Sequence, residues 1–267
     1  MKKVKMLGLL VVMLLLAGIF PVKTYAAGWI QGDNGLWWYQ HEDESYTTSG
    51  WETIGGKNYY FDEAGRMKTG WLKLENTWYY LSIYGDMQTG WKNIGGAWYY
   101  LNEDGAMLTG WQNIGNNRFY LDGSGAMYTG WLKLGNNWYY MNNSGAMLRG
   151  WQSIGGAWYY LNDDGVMLTG WQKIGNNWFY LNGSGAMTTG WQNVGGTWYY
   201  MNNSGAMLTG WQVIGGAWYY LDGSGAMHTG WIRLGETWYY LTASGAMAAN
   251  TWIGSYYVDE NGEWIPG

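Results

Sequence analysis

Cysteine is absent from the chain. Neither disulfides nor thiolate metal sites can hold it, and the fold must rest on packing alone. Proline occurs only twice, so there is no proline-rich linker to separate domains. Histidine also occurs twice, as His41 and His228 in different stretches, and Ser and His never recur as a pair. A His/Cys metal site and a nucleophile with its base are therefore both unsupported. The glycine-rich turns lack the Lys and Ser/Thr of a phosphate loop.

Long hydrophobic runs are scarce as well. The only one, Met6 to Phe20, is fifteen residues long and follows Lys2, Lys3 and Lys5. Spanning a membrane takes about 20 apolar residues, so a transmembrane anchor is not expected. With Thr24-Tyr25-Ala26 before Ala27, residues 1–26 read as a secretory signal peptide cleaved after Ala26. Removing the leader's four lysines from fourteen basic residues leaves ten against nineteen acidic ones, a formal charge of −9 for the mature chain. That balance repels nucleic acid and bare polymer phosphate, and tolerates a cationic ligand. Export without cysteine leans toward a bacterial surface.

What is abundant is tryptophan, tyrosine and glycine, at 23, 25 and 45 residues. They recur with a fixed period of twenty. Trp51, Trp71, Trp91, Trp111, Trp131, Trp151, Trp171, Trp191, Trp211 and Trp231 each open a unit such as Gly90-Trp91-Lys92-Asn93-Ile94-Gly95-Gly96-Ala97-Trp98-Tyr99-Tyr100-Leu101. A strict short period means a stacked array, an all-β solenoid, rather than one conventional core. With that Trp as position one, position five is Gly in nine of ten units and position six is Gly, Asn or once Glu236. This predicts a two-residue turn with positive φ, hence a β-hairpin in every unit. Position four then faces seven, three faces eight, two faces nine and one faces ten.

Side chains alternate along a strand, so positions one, three, eight and ten share one face. Positions two, four, seven, nine and eleven share the other. Position nine alternates between Tyr and Phe (Phe119, Phe179), as a packed residue with a dispensable hydroxyl would. Position four (Ile, Leu, Val) and position eleven (Leu, Met, Phe) are expected to form the shared interior. The loop after the second strand is polar and ends in Gly-x-Met, with Met as a flexible filler near the aromatic face. Its carboxylates, among them Asp104, Asp163, Asp164 and Asp222, read as turn formers rather than an acid/base pair. A repeated calcium site is not supported, since Asn202 takes the place of Asp222 one unit earlier.

By this pattern the chain divides into the signal peptide, an irregular N-terminal capping repeat at 27–50, ten tandem repeats at 51–250 and a C-terminal capping hairpin at 251–267. No segment is left for a separate catalytic domain, which takes about 50 residues. The expectation is a non-catalytic protein without a cofactor. Two Trp and one Tyr converging on one spot make a cation cage for a quaternary ammonium, which has no hydrogen-bond donors. The bland alternative is that these rings only fill the stack, although an apolar wall is already available for that.

The motif, as in Thr109-Gly110-Trp111 and Gly96-Ala97-Trp98-Tyr99-Tyr100-Leu101, resembles the choline-binding repeats of Gram-positive surface proteins, from Trp29 to about Trp264. The resemblance implies a left-handed solenoid with choline held between neighbouring hairpins by two Trp, one Tyr and often a Met. It also implies anchoring to choline-decorated teichoic or lipoteichoic acid, in a secreted, cell-wall-associated protein. The implied carriers are Trp71, Trp78 and Tyr80; Trp91, Trp98 and Tyr100; Trp131, Trp138 and Tyr140; and Trp151, Trp158 and Tyr160. They continue with Trp171, Trp178 and Tyr180; Trp191, Trp198 and Tyr200; Trp211, Trp218 and Tyr220; and Trp231, Trp238 and Tyr240. Asn58 and Arg118 replace Trp at position eight, so their pockets are expected to be poor, silent or tuned to another ligand. The rival reading is a glucan- or oligosaccharide-binding array, which the unit Lys57-Asn58-Tyr59-Tyr60-Phe61 resembles; a surface adhesin without a small ligand is the third. A fourth is that the chain is only the wall-binding part of a system whose hydrolase, such as an amidase, is encoded separately.

Overall fold

A computed structural model describes residues 26–266, so the signal-peptide reading lies, but for Ala26, outside the described residues. Among these residues there are strands and turns and no helix. Ten antiparallel hairpins run in series from Gly50–Ile54 paired with Lys57–Phe61 to Gly230–Leu234 paired with Thr237–Leu241. Their register is the one the turn dictates: Trp91 opposite Tyr100, Lys92 opposite Tyr99, Asn93 opposite Trp98 and Ile94 opposite Ala97. Gly95 and Gly96 in that turn both take positive φ, 62° and 89°, which only glycine adopts at little cost, whereas in Gly115-Asn116 only the glycine does, at 59°, so the expectation of positive φ at position six holds only where that residue is Gly.

Each regular hairpin is a separate two-stranded sheet. Two strands alone are marginal in water, so stability has to come from stacking. The stack is stitched by one recurring bond. The Met107 amide donates to the Trp78 carbonyl of the preceding hairpin at 2.8 Å, and Met207 does the same to Trp178 at 2.8 Å.

The described residues fall into two compact units, one ending at Thr129 and one beginning at Gly130. The first holds a short hairpin, Gly28–Gln31 with Trp37–Gln40, and four regular ones. Its core is a column of position-eleven side chains, Phe61, Leu81, Leu101 and Leu121, all closed to solvent. The second holds six regular hairpins and a three-stranded end, Thr251–Ile253, Tyr256–Val258 and Trp264–Ile265. Its column runs through Met141, Leu161, Leu181, Met201, Leu221, Leu241 and Val258, equally closed.

The expected sharing of the interior by positions four and eleven is corrected on one side. Position four, as in Ile94 and Ile174, is only half-buried. It stands one residue from the turn at the hairpin tip, whereas neighbouring hairpins meet at position eleven. Position nine is buried where it is Phe119 or Phe179 and mostly half-buried where it is Tyr. The polar loops are Asx turns: Asp222 Oδ1 accepts from the Ser224 and Ala226 amides at 2.7 and 3.0 Å. The Ser224 hydroxyl, the largest cause, and then these amides outweigh desolvation and hold the Asp222 carboxyl below the usual carboxylate range.

Candidate aromatic ligand site

The two faces of a hairpin meet different neighbours. On its first face, Trp171 lies 6.4 Å from Trp178 at 83° and 5.2 Å from its cross-strand partner Tyr180. These three rings share a face because positions one, eight and ten do. The near-perpendicular indoles form a corner, and the same corner recurs at Trp71–Trp78, Trp131–Trp138, Trp191–Trp198 and Trp211–Trp218, at 6.2–6.4 Å.

The next hairpin closes the corner from its opposite face. Tyr199, at position nine, packs 4.7 Å from Trp171 at 68°. Met207 is held in place by its amide bond to Trp178. The resulting pocket encloses about 310 Å³ and is lined by Trp171, Trp178, Tyr199, Met207, Gly223 and Ser224. Three successive hairpins thus build one site. Trp178 is 42 % exposed and Trp218 47 % exposed, so the corners are open rather than filled by packing.

The expected trio therefore comes together only in part as the cavity wall. Trp171 and Trp178 line the pocket, while Tyr180 stands beside Trp171 and the lining tyrosine is Tyr199. Sequence reasoning placed position nine on the packed face of its own hairpin, which is where it points. That face is the one a neighbour's corner looks onto, and a hairpin-by-hairpin reading does not show it. The signal was present: position nine is aromatic in every unit, with no aliphatic substitute.

The remaining units fall into groups. Trp91 and Trp151 are followed by Phe119 and Phe179, each at 4.9 Å. Trp231 is followed by Tyr256 at 5.6 Å, in a pocket of about 400 Å³ with Trp238 and Trp264. Arg118 lays its guanidinium carbon 4.4 Å from the centroid of Trp111, a cation already resting on the ring of its own hairpin. Asn58 instead accepts a hydrogen bond from the Thr53 hydroxyl at 2.7 Å. Lys73 and Lys133 approach Trp78 and Trp138 at 5.7 and 5.5 Å from the position opposite in the ladder. Among the described residues no group of three or more His, Asp or Glu could hold a metal ion, and no helix is long and apolar enough to cross a membrane.

The chain matches the family model of the choline-binding repeat at residues 48–87, 88–129, 108–149, 148–189, 188–227 and 208–252. Of solved structures, CbpJ from Streptococcus pneumoniae TIGR4 is similar at 36% identity and a TM-score of 0.69, over 90% of this chain and 100% of that one. Choline binding protein F from Streptococcus pneumoniae is similar at 33% identity and a TM-score of 0.64, over 91% of this chain and 100% of that one. The modular autolysin LytC from the same organism is similar at 29% identity and a TM-score of 0.55, over 84% of this chain and 52% of its own. No curated protein matches the sequence.

Proposed function

Because this chain belongs to the choline-binding repeat family, we propose that it is a secreted, non-catalytic module that anchors to choline-bearing teichoic acid of a Gram-positive cell wall. The observation that carries the reading is the open perpendicular indole corner, closed by a phenol and a thioether from the next hairpin. A trimethylammonium head has no polar hydrogen to donate and is poorly hydrated. Electron-rich ring faces are what can hold it, and the acidic balance of the chain favours its approach.

Magnitudes explain the repetition. A cation on an aromatic face is worth about 0.5–2 kcal/mol, so a three-walled cage offers on the order of 4 kcal/mol, roughly millimolar affinity. One such site releases its ligand too readily to retain a protein. A polymer carrying many cholines makes later contacts intramolecular, and avidity gains a factor of about 10² to 10⁴. The support from relatives is the similarity to choline binding protein F and to CbpJ along their whole lengths.

Tryptophan emission, followed in parallel titrations with choline and with glucan oligosaccharides, tests the reading. Saturation with choline alone is expected. A response to the sugar alone selects the glucan-binding reading instead, and silence with both selects an adhesin without a small ligand.

A further inference from the structure

Trp264 stands where every regular hairpin has methionine. The register shows it: Val258 pairs with Trp264 just as Leu241 pairs with Met247 one hairpin earlier. Val258 completes the buried column, and Gly262 leaves no room for a Cβ beside Met247 just as Gly245 leaves none beside Met227. The C-terminal strands therefore keep the repeat's scaffold while shortening the hairpin and exchanging one pocket wall.

The exchange changes the chemistry of the pocket. Among the described residues its lining is wholly aromatic, Trp231, Trp238, Tyr256 and Trp264, around about 400 Å³. The Trp171 pocket has a thioether and the Gly223-Ser224 loop where this one has a third indole. Tyr256 stands 5.6 Å from Trp231 at 81° and 6.0 Å from Trp264 at 77°, so consecutive rings turn like the sides of a box. No carboxylate lines it. Such a box attracts cations through ring quadrupoles alone, which favours poorly hydrated organic ammonium groups over strongly hydrated lysine or metal ions. A methionine wall offers only a weakly polar thioether in the same place.

We infer that Trp231, Trp238, Tyr256 and Trp264 form a distinct quaternary-ammonium site, the tightest on the chain, in which Trp264 is the affinity-determining wall. This rests on the reading above that the indole corners bind choline. The strands that would otherwise only close the array then also provide its highest-affinity contact.

Calorimetric titration of the full chain with choline tests it. One site should bind about 3- to 10-fold tighter than the others, the gain expected of one added aromatic face. Trp264→Met restores the residue that the repeats carry and should remove the tight class while leaving the weaker sites unchanged. Trp264→Phe, which keeps an aromatic wall, should retain part of the tight class, so that loss of the wall is told apart from poor folding of the first variant. Choline binding with superimposable isotherms for the wild type and both variants overturns the inference and leaves the proposed function standing. No choline binding at all overturns both.

Discussion

Glu75 is the residue at which turn chemistry and sequence disagree. It occupies position five, where the nine other regular hairpins have glycine, and takes φ 53°. A side chain in the left-handed region costs about 1–2 kcal/mol, partly offset by the smaller entropy of a non-glycine residue in the unfolded chain. Glu75→Gly should therefore stabilise the protein by about 0.5–1 kcal/mol, read as a higher urea midpoint at unchanged slope. Arg118 is the second such residue, because it places a guanidinium on Trp111 where other hairpins place an indole. Arg118→Trp should free the Trp111 ring of its cation and so change the tryptophan emission of the ligand-free protein; unchanged emission would show that the guanidinium does not rest on that ring. Both departures were legible in the sequence, since each breaks a strict period at one place.

The hairpin separates packing from binding, and two substitutions in one element should tell them apart. Leu181 is closed to solvent in the core column, so Leu181→Ala should cost about 2–5 kcal/mol while the pockets that remain folded bind as before. Trp178 is 42 % exposed, and it holds Met207 through its backbone carbonyl, which a substitution keeps. Trp178→Ala should lower choline stoichiometry by one with a much smaller loss of stability. Choline titration and urea unfolding of the two variants check this; equal losses in both measurements would mean that cage and core are one structure. Turn and register were readable here because both are local. Gly at position five and the twofold alternation of strands leave one pairing, with positions four and eleven on one face; that only eleven is closed to solvent depends on the neighbouring hairpins.

Acid sensitivity and wall retention belong to the whole molecule. Asp122 and Asp222 have carboxyls below the usual range. At Asp122 burial opposes the shift, but the Ser124 hydroxyl and the Ser124 and Ala126 amides outweigh it; at Asp222 the Ser224 hydroxyl dominates. A depressed folded value means that their contribution is present above the unfolded value of about 3.9 and is lost as pH falls through the lower folded value. Stability should decline below about pH 4. Asp122→Asn with Asp222→Asn, which matches Asn142 and Asn202 in the same turn, should flatten that decline in urea titrations. Retention on a choline-bearing polymer should be far stronger than any single pocket permits, and free choline at millimolar levels should release it. Release at micromolar choline would contradict weak sites acting together.

The sequence by itself determined the hairpin and its register, because both follow from contacts within about twenty residues and from the alternation of a strand, while packing between hairpins decided that position eleven and not position four closes the core. It also marked Trp71, Trp78 and their equivalents as a shared aromatic face. The tertiary structure alone decided that the cage takes Tyr199 and Met207 from the next hairpin, Gly223 and Ser224 from the one after, and Trp264 in place of a methionine at the far end. The reason is physical: a periodic sequence specifies what each module presents, but which face looks onto which neighbour depends on how successive modules stack. That is settled by packing between hairpins, over distances that a twenty-residue pattern does not encode.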